Sequence, residues 1–107
     1  LIGSSTTTIV GANKNSTWNI TGASTGSVGG FSFSNVGNLT GGTQNDTFVF
    51  ANGSTVAGVV NGGDGTDTLN YNAYTTTITV DLSAGTASNL GGFTNIENVV
   101  GSNVVFV

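Results

Sequence analysis

Short runs of alternating apolar and polar residues recur along the whole chain. The runs are rich in threonine, valine, isoleucine and aromatic residues, and clusters of glycine, asparagine and serine separate them, which is typical of strands joined by turns. They cover residues 6–10, 16–21, 31–34, 47–50, 59–61, 68–71, 77–82 and 104–107. No segment carries an apolar stripe at helical spacing. The pattern therefore predicts an all-β fold.

The chain also resembles itself when it is shifted by about 60 positions, which places residues 1–41 on residues 61–101. Glycine, asparagine and apolar positions stay in register together. The pairs include Gly3 with Gly63, Trp18 with Ile78, Phe33 with Phe93, Asn35 with Asn95 and Asn38 with Asn98. The paired asparagines are typical of turns in which stacked amides form hydrogen bonds between coils. We interpret the shift as an internal duplication.

A finer repeat lies inside the duplication. The stretches GGTQNDTFVF, which starts at Gly41, and GGDGTDTLNY, which starts at Gly62, are 21 positions apart. Repeats of this length are typical of solenoids, in which each unit contacts only its neighbours. We therefore predict a parallel β-solenoid (a β-helix or β-roll) of about five coils of roughly 20 residues, with strands about 4.8 Å apart. The predicted inward residues are Ile9, Trp18, Ile20, Phe48, Phe50, Leu69, Tyr71, Ile78, Val80 and Leu82.

Composition removes many functions from consideration. The 107 residues include no cysteine or histidine, so disulfides, thiol chemistry, a histidine or cysteine zinc site and an imidazole base are excluded. One basic residue against five acidic ones argues against a nucleic-acid partner. No apolar run approaches the length of about 18 residues that suits a membrane helix. The length predicts a single domain over residues 1–107.

One nonapeptide carries a recognisable motif. Residues 62–70 fit the pattern G-G-x-G-x-D-x-U-x at every fixed position, and residues 41–49 are a second copy with Gln44 in place of the fourth glycine. With WNITG, NVGNLTGG and NIENVVGS elsewhere in the chain, this order resembles the RTX-like parallel β-roll repeats of large secreted bacterial surface proteins, the adhesins. The resemblance implies an extracellular location and calcium binding in the turns.

The resemblance also implies which residues hold calcium. Asp46 and Asp67 would supply side-chain oxygens, and backbone carbonyls would come from Gly41, Thr43, Gly62 and Asp64. Ca²⁺ takes six to eight oxygen ligands in proteins. The same residues also suit ordinary metal-free glycine–aspartate turns, in which the carboxylate accepts hydrogen bonds from backbone N–H groups. The sequence leaves both interpretations open.

Two further chemistries have candidate residues. Asp81 and Glu97, together with Asp64 and Asp67, offer carboxylates for glycoside hydrolysis, which needs two carboxyl groups about 5–9.5 Å apart across a cleft. The alternating run places Asp81 toward water, and we expect no enzyme activity.

Sugar binding has aromatic candidates in Trp18, Tyr71 and Tyr74. The alternation places Trp18 and Tyr71 inward. Tyr74 follows turn residues and is the one aromatic ring expected to be exposed.

The two ends of the sequence lack a capping element. The chain opens on Leu1 and Ile2 and closes on the apolar run 104–107, and residues 99–102 resemble residues 1–4. An uncapped solenoid exposes core and unpaired strand edges. We therefore expect the terminal coils to stack on neighbouring repeats of the same chain or on a second subunit.

These observations favour an extracellular structural protein. It would be the subunit of a self-assembling filament or surface layer, or the stalk segment of a bacterial adhesin. The alternative is a calcium-dependent folding module of the RTX type, and the third hypothesis is a carbohydrate-binding or polysaccharide-degrading solenoid.

Overall fold

A computed structural model describes residues 1–107 and consists of thirteen β-strands without a helix. Consequently no apolar helix of membrane-crossing length is present. The strands are β1 (Thr8–Val10), β2 (Ser16–Gly22), β3 (Thr25–Val28), β4 (Phe31–Phe33), β5 (Asn38–Thr40), β6 (Asp46–Phe50), β7 (Val56–Asn61), β8 (Thr68–Asn70), β9 (Ile78–Asp81), β10 (Thr86–Ala87), β11 (Leu90–Thr94), β12 (Asn98–Val100) and β13 (Val104–Phe106). The predicted all-β fold is confirmed.

The strands form two sheets. Sheet I has seven strands in the order β1-β5-β7-β11-β10-β9-β13, and sheet II has six in the order β12-β8-β6-β2-β3-β4. Four successive rungs each contribute one strand to each sheet: β1 with β2, β5 with β6, β7 with β8, and β11 with β12. Neighbouring rungs pair in parallel throughout. The fold is therefore a β-solenoid of about three turns.

The coils are unequal in length, so the predicted five coils of roughly 20 residues are not confirmed. From β6 to β8 the register advances by 21 residues, as in the pair Thr47 and Thr68. The step from β5 to β7 is also 21 residues, whereas the steps between the other rungs are longer: Thr8 pairs with Asn38 in sheet I, and Thr68 pairs with Asn98 in sheet II. The extra residues form antiparallel excursions, in which β3 and β4 extend sheet II beyond β2 and β10 joins β9 to β11.

Stacked columns of apolar side chains fill the space between the sheets. In sheet II, register places Trp18, Phe48, Leu69 and Val99 above one another. In sheet I the corresponding column is Ile9, Leu39, Val60 and Phe93. Because side chains alternate across a strand, each column belongs to the buried face of its sheet. Nine of the ten residues predicted to point inward are buried.

Leu82 is the exception, and its predicted inward position is wrong. Its side chain is 58% exposed. Strand β9 ends at Asp81, whose carboxylate accepts hydrogen bonds from the backbone N–H groups of Ser83 and Ala84. The chain therefore enters a turn at Leu82, and the alternation that buries Ile78 and Val80 stops there.

Asparagine side chains form hydrogen bonds between neighbouring rungs. Most of these bonds join an asparagine amide to a backbone group, and few join two side-chain amides. The Asn15 side-chain oxygen accepts the N–H of Asn45 at 2.9 Å, and the Asn45 oxygen accepts the N–H of Thr66 at 2.8 Å. Asn35 and Asn95 both adopt positive φ, at 51° and 54°, and both donate to the preceding rung. The Asn95 bond is to the side chain of Asn61 and is thus amide–amide.

The strands of the second half repeat the pairing of the first half, with the two sheets exchanged. In the first half, β2 pairs antiparallel with β3 and parallel with β6, and β1 pairs with β5. In the second half, β9 pairs in the same way with β10 and β13, and β8 pairs with β12. Strands β1 to β6 thus correspond to β8 to β13. Each strand of the first half that lies in sheet I has its equivalent in sheet II in the second half, and each that lies in sheet II has its equivalent in sheet I.

Candidate functional site

The two glycine-rich motif turns each hold a buried carboxylate against their first glycine. A Cβ atom on Gly41 would lie 2.5 Å from Oδ2 of Asp46, and a Cβ atom on Gly62 would lie 2.6 Å from Oδ2 of Asp67. The same two positions approach backbone carbonyl oxygens of the next rung, at 2.5 Å and 2.3 Å. Only glycine fits at such a close approach. The motif glycines are therefore required by packing within and between the turns.

Three acidic side chains stack on successive rungs, and we call Asp46, Asp67 and Glu97 the acidic column. Oδ1 of Asp67 accepts the backbone N–H of Asp46 at 2.7 Å. One rung further, Oε1 of Glu97 accepts the backbone N–H of Asp67 at 2.7 Å. The carboxylates of Asp67 and Glu97 thus each satisfy a backbone donor of the preceding rung, as expected for metal-free turns.

Burial makes the charged forms of Asp46 and Asp67 electrostatically unfavourable. Asp46 and Asp67 are both 0% exposed. Neither carboxylate oxygen of Asp46 has a hydrogen-bond partner, and Oδ2 of Asp67 has none. Burial raises the pKa of Asp46. Burial, with a further contribution from the negative charges of Asp46 and Glu97, raises the pKa of Asp67 to about 6.

The six residues named as calcium ligands lie in two turns that stack on adjacent rungs. The side chains of Asp46 and Asp67 are buried, whereas Thr43 and Asp64 are exposed. No group of three or more acidic side chains is placed to hold a metal ion. Calcium binding therefore remains a prediction from the motif.

Circular dichroism tests calcium dependence directly. Because backbone N–H groups already occupy part of the acidic column, we expect the same β spectrum in chelator and in millimolar Ca²⁺. Magnesium at the same concentration is the control for ionic strength. A β spectrum that forms only with calcium would contradict this expectation and establish the calcium-dependent folding module.

The carboxylates considered for glycoside hydrolysis have structural partners. Asp81 accepts hydrogen bonds from Ser83 and Ala84, and these bonds, led by the Ala84 N–H, lower its pKa. Glu97 binds the backbone N–H of Asp67. The two cavities of the protein, of about 320 and 310 Å³, have no acidic residue in their lining. No cleft presents a pair of carboxylates.

The three aromatic residues considered for sugar binding are all buried. Trp18 and Tyr71 lie in the core as predicted, and Tyr71 stacks on Phe50 with ring centroids 4.6 Å apart. The predicted exposure of Tyr74 is wrong, because its ring is 2% exposed and its hydroxyl donates to the Ser54 carbonyl. A buried hydroxyl that finds a partner explains why Tyr74 packs inward after a turn. None of these rings is accessible to a sugar.

The open ends of the solenoid carry most of its exposed apolar surface. The edge strands are β1 and β13 in sheet I, and β4 and β12 in sheet II. Ten large apolar side chains are exposed, and eight of them lie at the ends. The first end carries Leu1, Ile2, Val10 and Phe31, and the second end carries Val100, Val105, Phe106 and Val107. This concentration identifies the ends as the candidate interaction surfaces.

The first end also contains an apolar cavity of about 320 Å³, which we call the end cavity. Thr8, Ile9, Val10, Val28 and Phe31 line it. Phe31 is in register with Val28, and Val28 with Trp18, so the Phe31 ring belongs to the inner side of sheet II. It is nevertheless 48% exposed. Sequence reasoning identified the apolar ends but missed Val28 and Phe31, because only strand pairing shows that both residues face this cavity.

The fold defines the class of protein, an all-β solenoid of about three turns. Comparison with protein-family models, with curated proteins and with solved structures finds no match.

Proposed function

We propose that this protein is an extracellular structural β-solenoid that assembles end to end. It would serve as the subunit of a filament or surface layer, or as a stalk segment of an adhesin of the RTX-like kind. The observation that carries the proposal is the location of eight of the ten exposed large apolar side chains at the two ends.

The character of the edge strands supports this assembly. Soluble β-proteins commonly protect edge strands with charges, proline or bulges. Strands β1 and β13 contain no charged residue and no proline. Their unpaired backbone groups are therefore available for pairing with a further strand.

The composition of the remaining surface supports a passive mechanical role. The chain carries one basic and five acidic residues among 107, and its cavities lack titratable residues. A solenoid distributes its stability along its axis, since each rung contacts only its neighbours. An elongated spacer or fibre uses this property directly.

Light scattering and negative-stain electron microscopy of the purified chain test self-assembly. We expect particles larger than a monomer at micromolar concentration, and unbranched fibres in the micrographs. The matched control is Val105→Lys, which places a charge on an edge strand at a side chain that is 49% exposed. If the unmodified chain stays monomeric and forms no fibres, self-assembly is wrong and only the stalk function stands.

A further inference from the structure

We infer that the two ends join by one defined contact, in which β13 of one copy pairs in parallel with β1 of a second copy of this chain. The inference rests on the proposed end-to-end assembly and specifies the partner strand and the register. The contact is heterologous, so it does not close on itself and it propagates into a filament.

The chain already contains the counterpart of this contact. Strand β13 corresponds to β6, because β13 pairs in parallel with β9 and β6 pairs in parallel with β2, the equivalent of β9 in the first half. Strand β1 corresponds to β8, because β1 pairs with β5 and β8 pairs with β12, the equivalent of β5 in the second half. Within the chain, β6 pairs directly with β8 in parallel. The β13 edge of one copy and the β1 edge of the next are thus the two sides of a pairing that occurs inside each copy.

The internal pairing fixes the register of the contact between copies. Phe48 pairs with Leu69, and Val49 pairs with Asn70. Trp18 of the first half corresponds to Ile78 of the second half. Because Trp18 pairs with Phe48 and Ile78 pairs with Val104, Phe48 corresponds to Val104. In the contact between copies, Val104 therefore lies beside Ile9 of the next copy, and Val105 lies beside Val10.

The inner surfaces at the two ends fit each other in character. Phe106 is in register with the buried Val80, so its ring belongs to the inner side of sheet I, yet it is 51% exposed. The end cavity of the next copy lies next to β1 and is lined by apolar residues that include Ile9 and Phe31. Pairing β13 with that β1 brings Phe106 to the end cavity. Two half-exposed inner surfaces would thereby cover each other.

The pairing also predicts the axial repeat. Sheet I contributes seven strands per copy, and strands lie about 4.8 Å apart, so each copy adds about 34 Å to the continuous sheet. The longest dimension of a single copy is 33 Å. Electron microscopy of the fibres measures this repeat.

Cysteine cross-linking tests the register, because the natural chain has no cysteine. Val10→Cys and Val105→Cys are prepared separately, and each adds one thiol at an exposed position. Directly paired residues of neighbouring strands lie about 4.8 Å apart, within the Cα range of a disulfide. Mixing the two variants under mild oxidation is expected to raise the disulfide-linked mixed dimer about tenfold or more above random pairing, because the contact holds the thiols at high effective concentration.

Two matched mixtures define the specificity of the cross-link. Thr8→Cys presents a thiol on the same strand two residues away, which is too far from residue 105 for a disulfide in the inferred register. Leu82→Cys presents an exposed thiol just after β9, which is not an edge strand. Neither variant is expected to give more than random pairing with Val105→Cys.

The results separate this inference from the proposed function. Fibres of the unmodified chain together with a dominant mixed dimer of Val10→Cys and Val105→Cys support both. Fibres without that mixed dimer, or with homodimers of Val105→Cys at equal yield, overturn the register while end-to-end assembly stands. An unmodified chain that stays monomeric overturns the assembly itself.

Discussion

Replacement of Trp18 by alanine is expected to lower the free energy of unfolding by about 3–5 kcal/mol. The indole is completely buried and stacks on Phe48, with ring centroids 5.3 Å apart and planes inclined by 25°. The ring centroid of Phe33 lies 6.2 Å from that of Trp18. Both sheets are fixed by backbone hydrogen bonds, so the neighbours relax only partly into the cavity. A loss of this size is a large part of the total stability of about 5–15 kcal/mol that is usual for a domain.

Urea unfolding measures the effect. It is followed by circular dichroism instead of tryptophan fluorescence, because Trp18 is the one tryptophan of the chain and the variant lacks it. Leu82→Ala is the control because its side chain is 58% exposed, and we expect a change within about 0.5 kcal/mol. Equal losses in the two variants would show that Trp18 does not lie in the core column.

Replacement of Asp67 by asparagine is expected to stabilise the protein at pH 7 and to flatten the dependence of its stability on pH. Asparagine keeps the oxygen that accepts the Asp46 N–H and removes a buried negative charge. The pKa of Asp67 rises from 3.8 to about 6 in the folded protein, which corresponds to about 3 kcal/mol at neutral pH. Ionised Asp67 therefore costs stability, unlike a carboxylate in a salt bridge.

The sign follows from proton binding. Because the folded pKa of Asp67 exceeds the unfolded value of 3.8, the folded state binds more protons between these two values. The wild-type protein is thus expected to be most stable below about pH 4 with respect to this group, and to lose that stability as the pH rises through about 6. Asp46, whose pKa is also raised, contributes in the same direction. Asp81 acts in the opposite direction because its pKa is lowered.

Thermal unfolding from pH 3.5 to 8, with wild type and Asp67→Asn side by side, isolates the contribution of Asp67. The effect of Asp81 is present in both proteins and cancels in the difference. Asp64→Asn is the matched control, since this neighbouring motif aspartate is exposed. A constant difference between Asp67→Asn and wild type across the whole range would contradict a raised pKa at Asp67.

Local patterning predicted eight of the thirteen strands and most of the core, and it missed β3, β5, β10, β11 and β12. The alternation that places Ile9, Trp18, Phe48 and Leu69 inward depends only on the period-two geometry of a strand, so it can be read from neighbouring residues. The spacing of 21 residues between the motif turns correctly predicted that Asp46 and Asp67 lie on adjacent rungs. The orientation of the Asp67 carboxylate could not be predicted from that spacing, because it depends on a backbone N–H group of the preceding rung.

The sequence by itself determined that this protein is an all-β solenoid, since alternating strands and regularly placed glycines are local properties of the chain. Only the tertiary structure decided the number and length of the coils, the exchange of sheets between the halves, and the burial of Tyr74 and exposure of Leu82. The physical reason is that a short alternating strand has the same pattern in a parallel stack and in an antiparallel excursion such as β3 and β4. Its partner is chosen by contacts distant in sequence, which no local pattern contains.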